Sequence, residues 1–205
     1  MEEPVAMGAE AVVTASEFLG RKAVKKTRRP KKYRHPELDG TIRSVRTRNE
    51  VRIIRSARSE AVRTPVVYDV NMSECSITME FIEGTKVKDL LDDDPSSCET
   101  VCRLMGKALA DMHNRKISHG DYTTSNMILM RDGTLCIMDF SLGTVNAGTE
   151  EMGVDISLLH RAFSSTHSSV EGGFEKVMGA YVEGMEDADA VLKKTEEIRN
   201  RARYT

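Results

Sequence analysis

Two short stretches of this sequence carry side chains that could do chemistry together. His119-Gly120-Asp121-Tyr122-Thr123-Thr124-Ser125-Asn126 sets a carboxylate and, five positions on, a carboxamide. Asp139-Phe140-Ser141 adds a second carboxylate thirteen residues past Asn126. Phosphoryl transfer from ATP needs a carboxylate at the acceptor hydroxyl and oxygen ligands for magnesium bridging the phosphates. The pattern gives the first task to Asp121 and the second to Asn126 and Asp139. A lone His-x-Asp is common in surface loops, but the full HxDxxxxN followed at this spacing by Asp-Phe is far more specific.

The remaining parts of such a site should lie upstream, in order. A lysine on an early strand should hold the phosphates, and Lys25 and Lys26 compete for that place. Alternation along a strand lets only one of them face a cleft. A glutamate on the next helix should pair with the lysine, and Glu50 is the one acidic residue between Asp39 and Glu60. Gly8-Ala9-Glu10 stands where a nucleotide-covering loop belongs, with one glycine in place of three. Met79 to Ile82 suits the hinge, with main-chain groups of Glu80 and Ile82 meeting adenine. Ile128 and Met138 supply apolar surface beneath the base.

The elements that must position these groups are legible in outline. Ala11-Val12-Val13 and Ala23-Val24 read as short strands joined through 16–21, and Pro30 and Pro36 interrupt any regular element beyond them. Apolar residues at helical spacing from Leu38 to Ile42, Val45, Ile53, Ile54 and Ala57 predict a helix to about Ser59. Strands are expected next at 66–70 and 76–82, and Glu83-Gly84-Thr85 breaks the pattern. Ser97 can cap a helix reaching about Arg115. Residues 127–130 and 135–138 read as a hairpin, and helix resumes near Val154, with a last helix at 187–198. The order predicts an α+β chain of two lobes, residues 1–84 and 85–205.

Composition excludes several classes. With 205 residues, 40% hydrophobic and 30% charged, the chain can bury a core. Its apolar runs are too short to cross a bilayer and the acidic N-terminal stretch has no signal-peptide core, so a cytoplasmic, membrane-free protein is expected. Cys75, Cys98, Cys102 and Cys136 form no CxxC pair, which argues against zinc. The net charge of −2 conceals an asymmetry: residues 21–63 hold 16 of the 30 Lys and Arg against four acids. Such a segment suits an anionic partner or a solvated helix face.

These motifs, together with Arg28-Arg29-Pro30-Lys31-Lys32-Tyr33-Arg34-His35-Pro36-Glu37-Leu38-Asp39 and Gly153-Val154-Asp155, resemble one family over nearly the whole chain. It is the small atypical Ser/Thr kinase and ATPase subunit of the KEOPS (EKC) tRNA-modification complex. The resemblance implies a minimal bilobal protein-kinase-like fold with a truncated C-terminal lobe and ATP and Mg2+ as cofactors. It makes Lys26 the phosphate lysine, Glu50 its helix partner, Asp121 the catalytic aspartate, and Asn126 and Asp139 the metal ligands. Asp155 becomes the residue that holds the catalytic loop. It further implies autophosphorylation and support for threonylcarbamoylation of adenosine 37 in tRNA. The partners it implies are the threonylcarbamoyl-transferase subunit on the C-terminal lobe, a small subunit on the N-terminal lobe, and tRNA.

Departures from an ordinary protein kinase narrow the reading. Gly120 replaces the arginine that would read a phosphorylated activation loop, and Thr123 replaces a lysine. The stretch from Asp139 to Asp155 has no room for a peptide-gripping platform. A nucleotide-binding scaffold and a small-molecule kinase are the alternatives; the three polar site residues oppose the first and the short chain opposes the second. Arg28, Arg29, Lys31, Lys32 and Arg34, with Arg199, Arg201 and Arg203 at the C-terminal end, are candidates for contact with tRNA phosphates or an acidic partner.

Overall fold

The computed structural model describes residues 4–7, 10–58, 62–93 and 98–201. Gly8, Ala9, Ser97 and Arg203 lie outside the described residues. A five-stranded antiparallel sheet is built from β1 (Pro4–Met7), β2 (Ala11–Phe18), β3 (Arg21–Arg28), β4 (Val67–Asn71) and β5 (Ser76–Glu80), in the order β1-β2-β3-β5-β4. The connection expected over 16–21 is instead strand on both sides of a two-residue turn, with Phe18 opposite Arg21. Leu19 and Gly20 take φ of 50° and 77°, the left-handed pair that matches the twist of a tight hairpin.

Helix α1 (Pro36–Ala57) crosses behind this sheet. Its apolar stripe is split. Ile53, Ile54 and Ala57 are buried in the main core and Val51 packs with Ile77 and Met79 under the sheet, whereas Leu38 and Val45 are 56% and 54% exposed. The front of the helix is held by charge instead. The buried Asp39 carboxylate takes Arg43 Nε at 2.7 Å and the Lys31 N–H at 3.3 Å, with Arg34 at 3.6 Å.

The sheet ends at Glu80, and β6 (Gly84–Lys86) already pairs with β8 (Met127–Met130), which pairs with β9 (Leu135–Ile137). Gly84 therefore sits with the second lobe, and the crossing falls in 81–83. That lobe holds α2 (Val87–Asp93), α3 (Cys98–Asn114), α4 (Thr149–Thr166), α5 (Gly173–Gly184) and α6 (Ala188–Arg201). The short strands β7 (Ile117–Ser118) and β10 (Thr144–Val145) pair antiparallel beneath the site. Helix α4 begins five residues before the expected Val154 because the Gly148 N–H donates to the Glu151 carboxylate, fixing an earlier start. The four cysteines are free and buried, and burial pushes the Cys136 thiol up to about 12, so they act as core.

Helices α3 and α5 approach closely at Gly106, where an added Cβ would lie 2.2 Å from the Val177 carbonyl oxygen. Because backbone must shift to admit it, Gly106→Ala should lower unfolding stability by about 1–3 kcal/mol, read by urea denaturation. An unchanged midpoint would show that the two helices separate freely.

Candidate active site

Strand alternation decides between the two lysines. Lys25 pairs with Glu74 at 2.6 Å on one face of the sheet, while Lys26 points to the other and is buried. Lys26 Nζ donates to Glu50 Oε1 at 2.7 Å, to Asp139 Oδ1 at 2.6 Å and to Ser141 Oγ at 3.0 Å. Glu50 is 1% exposed, and its second oxygen is taken by Arg28. Arg28 is thus not on a surface that could meet tRNA: only 3% exposed, it lies on the face of β3 that Lys26 occupies. Lys-x-Arg on one strand is the signal available for this, since side chains two apart share a face.

Asp121 and Asn126 are joined by a 3-10 turn at Thr124–Asn126. Asn126 Nδ2 donates to the Asp121 carbonyl and to Asp121 Oδ2, both at 2.9 Å. Asp121 Oδ1 and Asn126 Oδ1 keep no protein partner among the described residues. The loop is anchored from below by Asp155 on α4, whose two oxygens accept the His119 and Gly120 N–H groups at 2.7 Å each. His113 also reaches Asp155, at 3.3 Å, and is held in turn by Tyr181 at 2.9 Å. His119 Nε2 donates to the Met138 carbonyl at 2.8 Å, so its Nδ1 accepts the Asp121 N–H at 3.2 Å. Its ring lies 4.6 Å from that of Phe140, and both are fully buried. Thr124 bonds His167 at 2.8 Å, and His167 bonds Asp92 at 3.0 Å, a further tether of the loop that sequence spacing does not reveal.

Asp139 has φ of 59°, in the left-handed region that Asp tolerates better than most residues. Burial works to raise its pKa, but the charge and hydrogen bond of Lys26, joined by Ser141, overcome this and hold it at about 2. Its Oδ1 takes Lys26 and Ser141, leaving Oδ2 uncommitted among the described residues. One carboxylate oxygen and one amide oxygen fit Mg2+, which prefers oxygen ligands and completes its shell with water and phosphate.

At the hinge, the Glu80 N–H donates to the Val66 carbonyl, and the Glu80 carboxylate takes the Val66 N–H at 3.0 Å and pairs with Arg63. The carboxylate thereby replaces the Glu80 carbonyl in the ladder. Ile82 is buried, and its N–H has no partner among the described residues. An acceptor and a donor so released suit the edge of adenine. Ile128 on β8 and Met138 after β9 are half-buried. Glu10 turns to Arg28 and Arg46.

The basic segment is better paired than its own four acids allow, because acids from elsewhere reach it: Glu10, Glu74, Glu80 and Glu83 meet Arg46, Lys25, Arg63 and Lys22. Arg29 and Lys32 stay exposed, Lys31 is half-buried, and Arg34 stacks on Tyr33. Arg199 bonds His160 at 3.2 Å and Arg201 pairs with Glu150, so these two arginines hold α6 to α4.

Residues 11–165 match the family model of the protein kinase domain, and the fold is of that kind. The chain is 40% identical over 210 residues to the KEOPS complex subunit Bud32 of Pyrococcus abyssi, covering 98% of this chain and 95% of that protein. It is 39% identical over 211 residues to the EKC/KEOPS complex subunit Tp53rkb of Mus musculus, covering 98% and 86%. A probable bifunctional tRNA threonylcarbamoyladenosine biosynthesis protein of Methanobrevibacter smithii is 37% identical over 203 residues, and the match covers 98% of this chain and 36% of that longer protein. At this identity and coverage the chain belongs to the family of kinase-fold KEOPS subunits, within the protein kinases.

Gly120 has φ of 77°, and a Cβ there would meet the Leu142 carbonyl oxygen at 2.2 Å. Gly120→Ala should therefore displace Asp121 and cut ATP turnover about 100-fold, measured beside thermal unfolding to separate misplacement from unfolding. A second expectation concerns acid. Since Asp139 is held near 2, below the ordinary 3.8, its contribution to stability is complete above about pH 4 and is lost as pH falls through about 2. Asp139→Asn should flatten the pH dependence of unfolding over that window, and an unchanged slope would contradict the pairing with Lys26.

Proposed function

We propose that this chain is the ATP-dependent kinase-fold subunit of a KEOPS-type assembly, working in the cytoplasm to support threonylcarbamoylation of adenosine 37 in tRNA. It binds ATP with Mg2+, hydrolyses it, and transfers the γ-phosphoryl group to Ser or Thr hydroxyls, its own included. The observation that carries the reading is that Lys26, Glu50 and Asp139 form one bonded cluster, and that the Met138 N–H, donating to the Asn126 carbonyl, sets the Asp121–Asn126 pair beside it with uncommitted oxygens.

Asn126 and Asp139 would hold Mg2+, which would supply positive charge to offset that of the phosphates. The chain's own residues do the rest. Lys26 neutralises phosphate oxygens and is kept in place by Glu50. Asp121 Oδ1 accepts the proton of an acceptor hydroxyl or water, with its carboxylate oriented by Asn126. The Glu80 carbonyl and Ile82 N–H read adenine, and Ile128 and Met138 line the base.

Only residues 140–148 separate Asp139 from α4, too few for a peptide platform, so a partner brings the substrate. The transferase subunit on the C-terminal lobe is the fitting partner, supported by a relative described as bifunctional whose match to this chain covers 36% of its own length. A small subunit docks on the N-terminal lobe. The exposed Arg29 and Lys32, with Lys31 and Arg34, meet tRNA phosphates, with Arg48, Arg52 and Arg55 along the outer face of α1. No described helix is long and apolar enough to cross a membrane.

The decisive measurement is ATP consumption by the chain alone, then with the transferase partner, then with tRNA. Asp121→Asn should abolish turnover while nucleotide binding and assembly persist; absence of turnover in the parent under all three conditions would replace the enzyme with a scaffold. Affinity for tRNA should fall steeply with salt and drop further with Arg29→Glu/Lys32→Glu, whereas a flat salt response would remove tRNA from that surface.

A further inference from the structure

The hydroxyl of Ser141 occupies an unusual place. It stands third in the Asp-Phe-x triplet, where the ordinary kinase sequence has glycine, with no side chain to offer. A serine hydroxyl has one proton to donate and two lone pairs to fill. Here all three are used. The proton goes to Asp139 Oδ1, and the lone pairs accept from Lys26 Nζ and Arg28 Nη2, each at 3.0 Å. The Ser141 N–H adds a bond to the same Asp139 oxygen at 3.3 Å.

The two cations that meet Ser141 come from β3 in the first lobe, and both are fixed by the buried Glu50. Their charges balance those of Glu50 and Asp139, so the cluster is neutral as a whole. Asp139, by contrast, sits on a short segment of the second lobe in a left-handed backbone conformation, with its side chain 44% exposed. Without side-chain support from within its own segment, a residue so placed is free to rotate away.

We propose that Ser141 and Arg28 act together as positioning residues. They hold Asp139 with one oxygen turned into the Lys26–Arg28 pair and the other presented to the metal that accompanies ATP. Arg28 is then the outer arm of the clamp, bonding both Glu50 and Ser141. The device ties the metal carboxylate directly to the first lobe. A chain whose Gly120 cannot read a phosphorylated loop gains from this a fixed geometry that needs no such loop. The inference rests on the reading of this cleft as a Mg–ATP site.

The test is binding measured by calorimetry, not turnover alone. Ser141→Ala and Ser141→Gly should weaken the Mg2+ complex of a non-hydrolysable ATP analogue about tenfold, the scale of one hydrogen bond to a charged group. ADP in EDTA should bind as it does to the parent, and thermal unfolding without ligand should change little. Ser141→Thr, which keeps the hydroxyl, should restore the metal-dependent affinity. Arg28→Lys should weaken it too, and the Arg28→Lys/Ser141→Ala double variant should be no worse than the weaker single one. Unchanged or tighter metal-dependent binding in Ser141→Ala, or strictly additive losses in the double variant, would overturn the clamp. If the parent binds the analogue no better with Mg2+ than without it, the reading of the cleft itself falls, and that result is distinct from either.

Discussion

A buried carboxylate with both oxygens committed to cations governs this molecule. Glu50 is taken out of water on α1, and burying such an ion costs several kcal/mol unless partners are supplied. Lys26 and Arg28 supply them, one to each oxygen. Removing either would leave charge unpaired at a cost of about 3–5 kcal/mol. The other end of α1 is anchored differently, by Ile53, Ile54 and Ala57 in the large core of the second lobe. Fixed by charge at its middle and by apolar burial at its end, α1 has little freedom to swing. Kinases that are switched by moving the corresponding helix depend on that freedom.

The second lobe repeats the device with Asp155. Its carboxylate is fully buried and spends its oxygens on two consecutive backbone N–H groups of the loop that carries Asp121. From there the order propagates through defined contacts: His119 to the Met138 carbonyl, His119 ring to Phe140, and Asn126 to Asp121. The anchored loop and the anchored helix converge on Asp139, whose carboxylate answers to Lys26 from one lobe and to Ser141 from the other. Two buried acids therefore do most of the positioning, and the groups that would touch substrate keep oxygens free.

The parts legible in the sequence are those whose chemistry is local. Asp121, Asn126 and Asp139 lie within one loop and one hairpin, so their spacing alone limits how they can be arranged. The helix ending near Ala57 and the hairpin at 127–137 are also within reach of periodicity and turn residues. The features that escape such reading depend on distant partners. The two-residue turn at Leu19-Gly20 asks a leucine to take positive φ, which no propensity favours. Leu38 and Val45 fit the helical stripe of α1, yet no core residue covers them and they stay exposed. Arg28 reads as one more surface charge because charge content cannot say which cation lies behind a buried glutamate. The same blindness overstates the free basic surface, since Glu10, Glu74, Glu80 and Glu83 arrive from outside the segment's own paired acids.

Gly120 and the short segment after Ser141 are one adaptation and not two losses. The Gly120 backbone is in the left-handed region and lies against the Leu142 carbonyl, so no side chain fits between them. That close approach exists because the chain turns back at once after Ser141, with Thr144 and Val145 pairing to Ser118 and Ile117 before α4 begins at Thr149. An arginine at 120 would need the segment to stand away, and a segment that stood away would be long enough to be phosphorylated and to grip a peptide. Closing it removes the sensor and the platform together. What is left is a site whose geometry in this structure is set by Glu50 and Asp155, the first through Lys26 and Arg28 and the second through the His119 and Gly120 N–H groups.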